Sequence, residues 1–116
     1  MNYRLTYHIT PYVRMTQRSK FVNPQAKEYL ASKEAIQWQI KPQMGLSAMM
    51  PRQASLRVDL HFQLPSPHAC DLDNLIKAVC DALQGVAIHD DRWIDEIHAT
   101  AAKGEHLTNI MVTLRD

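Results

Sequence analysis

The sequence is poor in the features that mark several large protein classes. Only 3 of its 116 residues are glycine, while 46% are hydrophobic and 22% charged, which excludes a fibrous or intrinsically disordered chain. No uninterrupted apolar run approaches the ~20 residues that cross a bilayer, so no membrane partner is expected. The first eight residues, Met-Asn-Tyr-Arg-Leu-Thr-Tyr-His, lack the hydrophobic core of a signal peptide, and the expected compartment is the cytoplasm. Internal repeats, low-complexity tracts and linkers are absent. One domain spanning residues 1–116, with one modest core, accounts for the length.

Cysteine is also scarce. Cys70 and Cys80 are the only two, and free thiols are usual in a reducing compartment. His61, His68 and His89 lie near them in sequence. The spacing nevertheless forms no Cys-x-x-Cys or His-x₃₋₅-His pattern, which argues against zinc.

Charge of one sign is missing from the start of the chain. No acid precedes Glu28, whereas Arg4, Arg14, Arg18 and Lys20 do. Residues 1–60 hold nine basic and three acidic residues, and residues 61–116 hold four and nine, so a local +6 faces a local −5 within a net +1. A polyanion held beside bound cations would suit such a division, because metals cancel the carboxylates. Mutual neutralisation on the surface would suit it equally.

The hydrophobic pattern predicts the order β-α-β-α-β-β, an α/β (α+β) fold with a single mixed sheet of about four strands and two helices on one face. Residues 2–9 read as a short strand and 10–22 as a basic loop. Asn23-Pro24 begins a helix to about Ile40, with Ala26, Tyr29, Leu30, Lys33, Ile36 and Ile40 on its buried stripe and Lys41-Pro42 ending it. Residues 56–64 alternate strictly, the signature of a strand with one buried face. A second helix over 72–84 closes at Gly85, and 86–92 form a loop. Strands near 94–102 and 106–115, joined at Lys103-Gly104-Glu105, read as a hairpin.

The chemistry concentrates around the second helix. Leu72, Leu75, Ile76, Val79 and Leu83 make its core stripe, with Cys80 and Ala82 beside it. Asp73, Lys77 and Asp81 follow at i, i+4, i+8 along one edge. One reading is a solvated ion-pair ladder with Asp73 capping the helix. The other starts from Asp71 and Asp73, two carboxylates crowded at one helix entrance, and from the pair Asp90-Asp91 after the helix, provided the loop returns along it. Mg²⁺ takes hard oxygen ligands and keeps several waters, so a few carboxylates plus a substrate phosphate complete its shell. A lysine one turn from Asp73 could then hold a phosphate oxygen, and the set suits phosphodiester hydrolysis. Spacing alone leaves both readings open.

The run Asp71-Leu72-Asp73-Asn74-Leu75-Ile76-Lys77, followed by Asp81-Ala82-Leu83, Gly85 and Asp90-Asp91, resembles the RusA family of Holliday junction resolvases. The resemblance implies a homodimeric, Mg²⁺-dependent endonuclease (Mn²⁺ being the alternative ion) that nicks four-way DNA junctions symmetrically. It further implies that Asp71, Asp73 and Asp91 bind the metal, with Asp90 a secondary candidate, and that Lys77 is catalytic. By the same resemblance the basic loop contacts DNA through Arg14, Arg18 and Lys20. An inactive module that binds branched DNA is the alternative function, and a purely structural protein the third.

Overall fold

Strand β2 (Leu56–Leu64) organises the sheet. Leu56, Val58, Leu60, Phe62 and Leu64 are buried and alternate with half-buried Arg57, Asp59, His61 and Gln63. This is the strict period of two that the sequence shows. Burying each of these apolar side chains contributes roughly 1.5–3 kcal/mol over leaving it in water, and β2 accordingly occupies an interior position. The computed structural model describes residues 2–6, 9–11, 24–45 and 49–115.

Around β2 stand β1 (Asn2–Leu5), α1 (Pro24–Met44), α2 (Leu72–Leu83), a 3₁₀ turn at Asp91–Trp93, β3 (Ile94–Lys103) and β4 (Leu107–Leu114). The element order is the expected one, and the result is one mixed α+β sheet in the order β1-β4-β2-β3. β4 runs antiparallel to both β2 and β1, while β3 lies parallel to β2 at the edge.

The expected β3–β4 hairpin does not form. β2 lies between the two strands, so the chain crosses the end of β2 instead of folding back on β3. Three residues, 104–106, make the crossing. They reach about 10 Å when extended, which matches two strand spacings of about 4.8 Å. The Gly104 N–H donates to the Leu64 carbonyl at 3.0 Å, tying the crossing to the last residue of β2.

Helix α1 runs past the expected stop, through Pro42 to Met44, and ends at Gly45, whose φ is +57°. The amide of Gln43 explains the extra turn. Its Nε2 donates to the carbonyls of Gln39 at 2.9 Å and Arg4 at 2.7 Å, and its Oε1 accepts from the Arg4 N–H. The end of the helix is thereby clamped to β1, which compensates for the donor that proline lacks. The buried stripe is Ala26, Tyr29, Ser32, Ile36 and Ile40, so Ser32 replaces the expected Leu30 and Lys33. The Ser32 hydroxyl accepts from the Thr10 N–H at 3.0 Å.

Other boundaries shift slightly. The first strand stops at Leu5, short of the expected residue 9, and α2 stops at Leu83. On α2 the buried residues are Leu75, Ala78, Val79, Cys80, Ala82 and Leu83. Leu72 and Ile76, expected in the core stripe, are only partly buried, while Ala78, Cys80 and Ala82 are buried and α2 packs against α1. The amide of Gln37 on α1 donates to the Ala82 carbonyl at 3.1 Å and fixes that contact. Among the described residues no helix is long and apolar enough to cross a membrane.

Candidate active site

The β2–α2–β3 crossover sets the site. The backbone of Asp71 is extended (φ −72°, ψ 137°) and occupies the N-cap of α2, a position the ladder reading assigned to Asp73. The Asp71 carbonyl accepts from the N–H groups of Asn74 and Leu75, but its carboxylate makes no capping bond. Asp73 follows inside the first turn, its Oδ1 accepting from the Asn74 N–H at 3.0 Å.

The chain does return along the helix, by a mechanism visible in its turn residues. Gln84 leaves the helix with φ −64° and ψ 128°, Gly85 takes φ +80°, and the Val86 N–H donates to the Leu83 carbonyl at 3.1 Å. These are the marks of a type II turn, which needs a residue tolerant of positive φ at its third position. Val86, Ala87 and Ile88 then bury themselves, and the Ala87 carbonyl accepts from Met50 N–H at 2.9 Å. With the segment anchored, Asp90 caps the 3₁₀ turn that carries Asp91: its Oδ1 accepts from the Arg92 N–H at 3.0 Å.

A cleft of about 200 Å³ results between α2 and β3, lined by Asp73, Ile76, Lys77, Cys80, Asp91, Ile94 and Ile97. Three of the four catalytic candidates, Asp73, Lys77 and Asp91, thus share one hollow. Asp71 stands outside its lining at the helix entrance, exposed. Asp90 flanks it. Arg14, Arg18 and Lys20 lie outside the described residues.

The cleft is electrostatically negative on one wall. Burial pushes the Asp91 carboxyl above its ordinary range, the hydrogen bond and charge of Asp90 add to the rise, and Lys77 opposes it. Asp90 itself is held low, chiefly by the Arg92 N–H. Cys80, at the floor, is pushed up to about 11 by burial and then by Asp91 and Asp81. At neutral pH it is a thiol and a poor metal ligand. Lys77 Nζ lies 3.8 Å from Asp81 Oδ1, and Asp81 Oδ2 accepts the Tyr29 hydroxyl at 2.6 Å.

The donor set fits a hard, water-keeping cation such as Mg²⁺ and not zinc. Two carboxylates face one hollow, no histidine lines it, and the one sulfur is protonated. Among the described residues no three His, Cys, Asp or Glu side chains converge closely enough to enclose a metal. An open pair of carboxylates, completed by water and substrate oxygens, is a usual arrangement for Mg²⁺.

Three contributors, Asp81, Ile94 and Ile97, escaped the sequence reading. Asp81 looked like a solvated rung of the ladder, yet it bridges the two helices. A buried tyrosine needs a partner for its hydroxyl, and Tyr29 on the stripe of α1 was the available signal. Ile94 and Ile97 form the far wall, which depends on β3 pairing parallel to β2. A larger hollow of about 520 Å³ lies on the open face of the sheet beside Asp59, His61 and His98. It holds no carboxylate pair and no lysine, so the hydrolytic chemistry points to the smaller cleft.

A family model described as endodeoxyribonuclease RusA matches residues 8–115. No curated protein matches the chain.

Proposed function

The chain belongs to the RusA endodeoxyribonuclease family, and from that premise we propose that it is a Mg²⁺-dependent, homodimeric endonuclease that resolves Holliday junctions. The observation that carries this reading is the meeting of Asp73, Lys77 and Asp91 in one cleft. A solvated ladder needs no such convergence, whereas phosphodiester hydrolysis needs both acid and base at one phosphate.

Asp73 and Asp91 would hold the cation, with Asp71 joining from the helix entrance and Asp90 supporting the turn. When bound, the cation supplies charge neutralisation at the phosphate and an acidified water as nucleophile. Lys77, half-exposed and projecting from the second turn of α2, would place its ammonium against the phosphate oxygens. There it offsets negative charge as the transition state develops. Ile76, Ile94 and Ile97 make the wall apolar, which limits water and strengthens these interactions. Arg14, Arg18 and Lys20 would grip the backbone of the arms without reading sequence. A four-way junction approximates two-fold symmetry, so two copies offer one cleft per opposed strand.

The test uses a labelled four-way junction and a matching linear duplex, each with and without Mg²⁺. Paired nicks on the junction alone, lost in Asp73→Asn, are expected. Junction binding without nicks in Mg²⁺ or Mn²⁺ would instead identify an inactive binding module. Neither binding nor nicks from folded protein would leave a structural role.

A further inference from the structure

Resting on that reading of the cleft, we propose that Asp81 is a positioning residue for Lys77, fixed in place by the hydroxyl of Tyr29.

The chain of contacts runs from the core outward. Tyr29 on α1 is 1% exposed, so its ring is immobilised, and its hydroxyl donates to Asp81 Oδ2 at 2.6 Å. Asp81 sits 52 residues away on α2, and its side chain is 18% exposed. Its other oxygen, Oδ1, faces Lys77 Nζ at 3.8 Å and the Gln84 amide at 3.5 Å. Lys77, 47% exposed, lines the cleft.

An exposed i,i+4 pair is ordinarily a weak, mobile contact. Two facts make this one different. Asp81 is anchored from a second helix by an O–H···O⁻ bond, a class roughly twice as strong as a neutral hydrogen bond. In addition, acid-before-lysine is the better order for such pairs on a helix, and that order would direct Lys77 toward Asp73. A lysine leaning on Asp73 would neutralise a carboxylate that the cation needs. Asp81 pulls in the opposite direction, and Tyr29 keeps Asp81 from following the lysine. The lysine is thereby held beside the metal carboxylates without collapsing onto them.

The test compares Tyr29→Phe, which keeps the ring, and Asp81→Asn, which keeps the shape, with Lys77→Ala and the two double variants. Single-turnover cleavage of a four-way junction should fall on the order of tenfold in each of Tyr29→Phe and Asp81→Asn. Junction affinity measured without Mg²⁺ should stay unchanged. In the Lys77→Ala background neither substitution should cost more, since both act through the lysine. An equal loss in that background, or no loss in the single variants, overturns the proposal. A readout independent of cleavage is side-chain NMR relaxation of the metal-free protein. Tyr29→Phe should mobilise the Lys77 ε-methylene and leave the ε-methylenes of Lys27 and Lys103 as they were. An unchanged Lys77 signal overturns the proposal, even if wild-type protein cleaves nothing and the nuclease reading itself fails.

Discussion

Replacing Gly85 by alanine tests the turn that brings Asp91 back to α2. A Cβ at this position meets nothing within 4 Å, so steric clash with neighbours contributes nothing. The backbone is the only source of cost: φ is +80°, where an L-residue loses about 1–2 kcal/mol. Alanine also restricts the unfolded chain, which offsets about 0.4–1 kcal/mol. The net expectation is a loss of about 1 kcal/mol, or roughly 4 °C in Tm for a domain of this size. Urea unfolding with an unchanged m-value measures it. Gly85→Asn should fall between the two, because asparagine tolerates the left-handed region better than alanine. With total stability of about 5–15 kcal/mol the variant stays folded at 25 °C, so lost cleavage at that temperature reports a displaced Asp91. An alanine variant as stable as wild type, or more so, would refute a positive-φ turn and the return path built on it.

Other outcomes follow from the same geometry. Cys80 should react with a disulfide reagent far more slowly in folded protein than in urea, because burial holds its thiol up to about 11. Its contribution to stability is fully present below pH 9, the ordinary value, and is lost as pH rises toward 11; a flat stability curve between those values would contradict it. Asp90→Asn retains an oxygen for the Arg92 N–H and should cleave better than Asp90→Ala, which leaves the turn uncapped; equal rates would show that the cap does not position Asp91. Each of Arg14→Ala, Arg18→Ala and Lys20→Ala should reduce the log–log salt slope of junction binding by about 0.9. Unchanged slopes would remove the basic segment from the interface.

What was legible in the sequence was whatever one period or one motif encodes. The alternation in β2 needs no partner to be read, and its burial pattern is strict from Leu56 to Leu64. The placing of Asp73 and Lys77 on one edge of α2 follows from helix geometry alone. Failures occur where a side chain far along the chain decides. Gln43 overrides the stop at Pro42 only because β1 offers it the Arg4 main chain. The hairpin reading failed because adjacency in sequence favoured β3 with β4, whereas β2, the strand with the most buried residues, takes the place between them. Ile76 lines the cleft instead of the core, an outcome of how α2 packs against α1 through Tyr29–Asp81 and Gln37–Ala82, which the helix alone does not encode.

That packing also resolves the division of charge that the sequence left open. Six of the acids divide into two sets of three. Asp59 is bound by Arg57 at 3.0 Å, Glu96 by Arg115 at 3.0 Å, Arg57 and His98, and Asp81 by Tyr29 and Lys77. The fold satisfies all three internally, and Arg57–Glu96 is a neutralising contact between the basic and acidic halves. Asp71, Asp73 and Asp91 make no ion pair among the described residues. Asp71 even forgoes the capping bond its position offers, a contact usually worth about 1 kcal/mol. Neutralisation therefore explains Asp59 and Glu96 on the open face of the sheet, Asp81 on α2 and Asp90 in the return turn, and fails for Asp71, Asp73 and Asp91. In the half-buried cleft, burial and the neighbouring Asp90 raise the cost of ionising Asp91. Under the proposed metal site, a cation entering that cleft would lower the cost at Asp91, with Asp73 as its second carboxylate and water and substrate oxygens completing its shell.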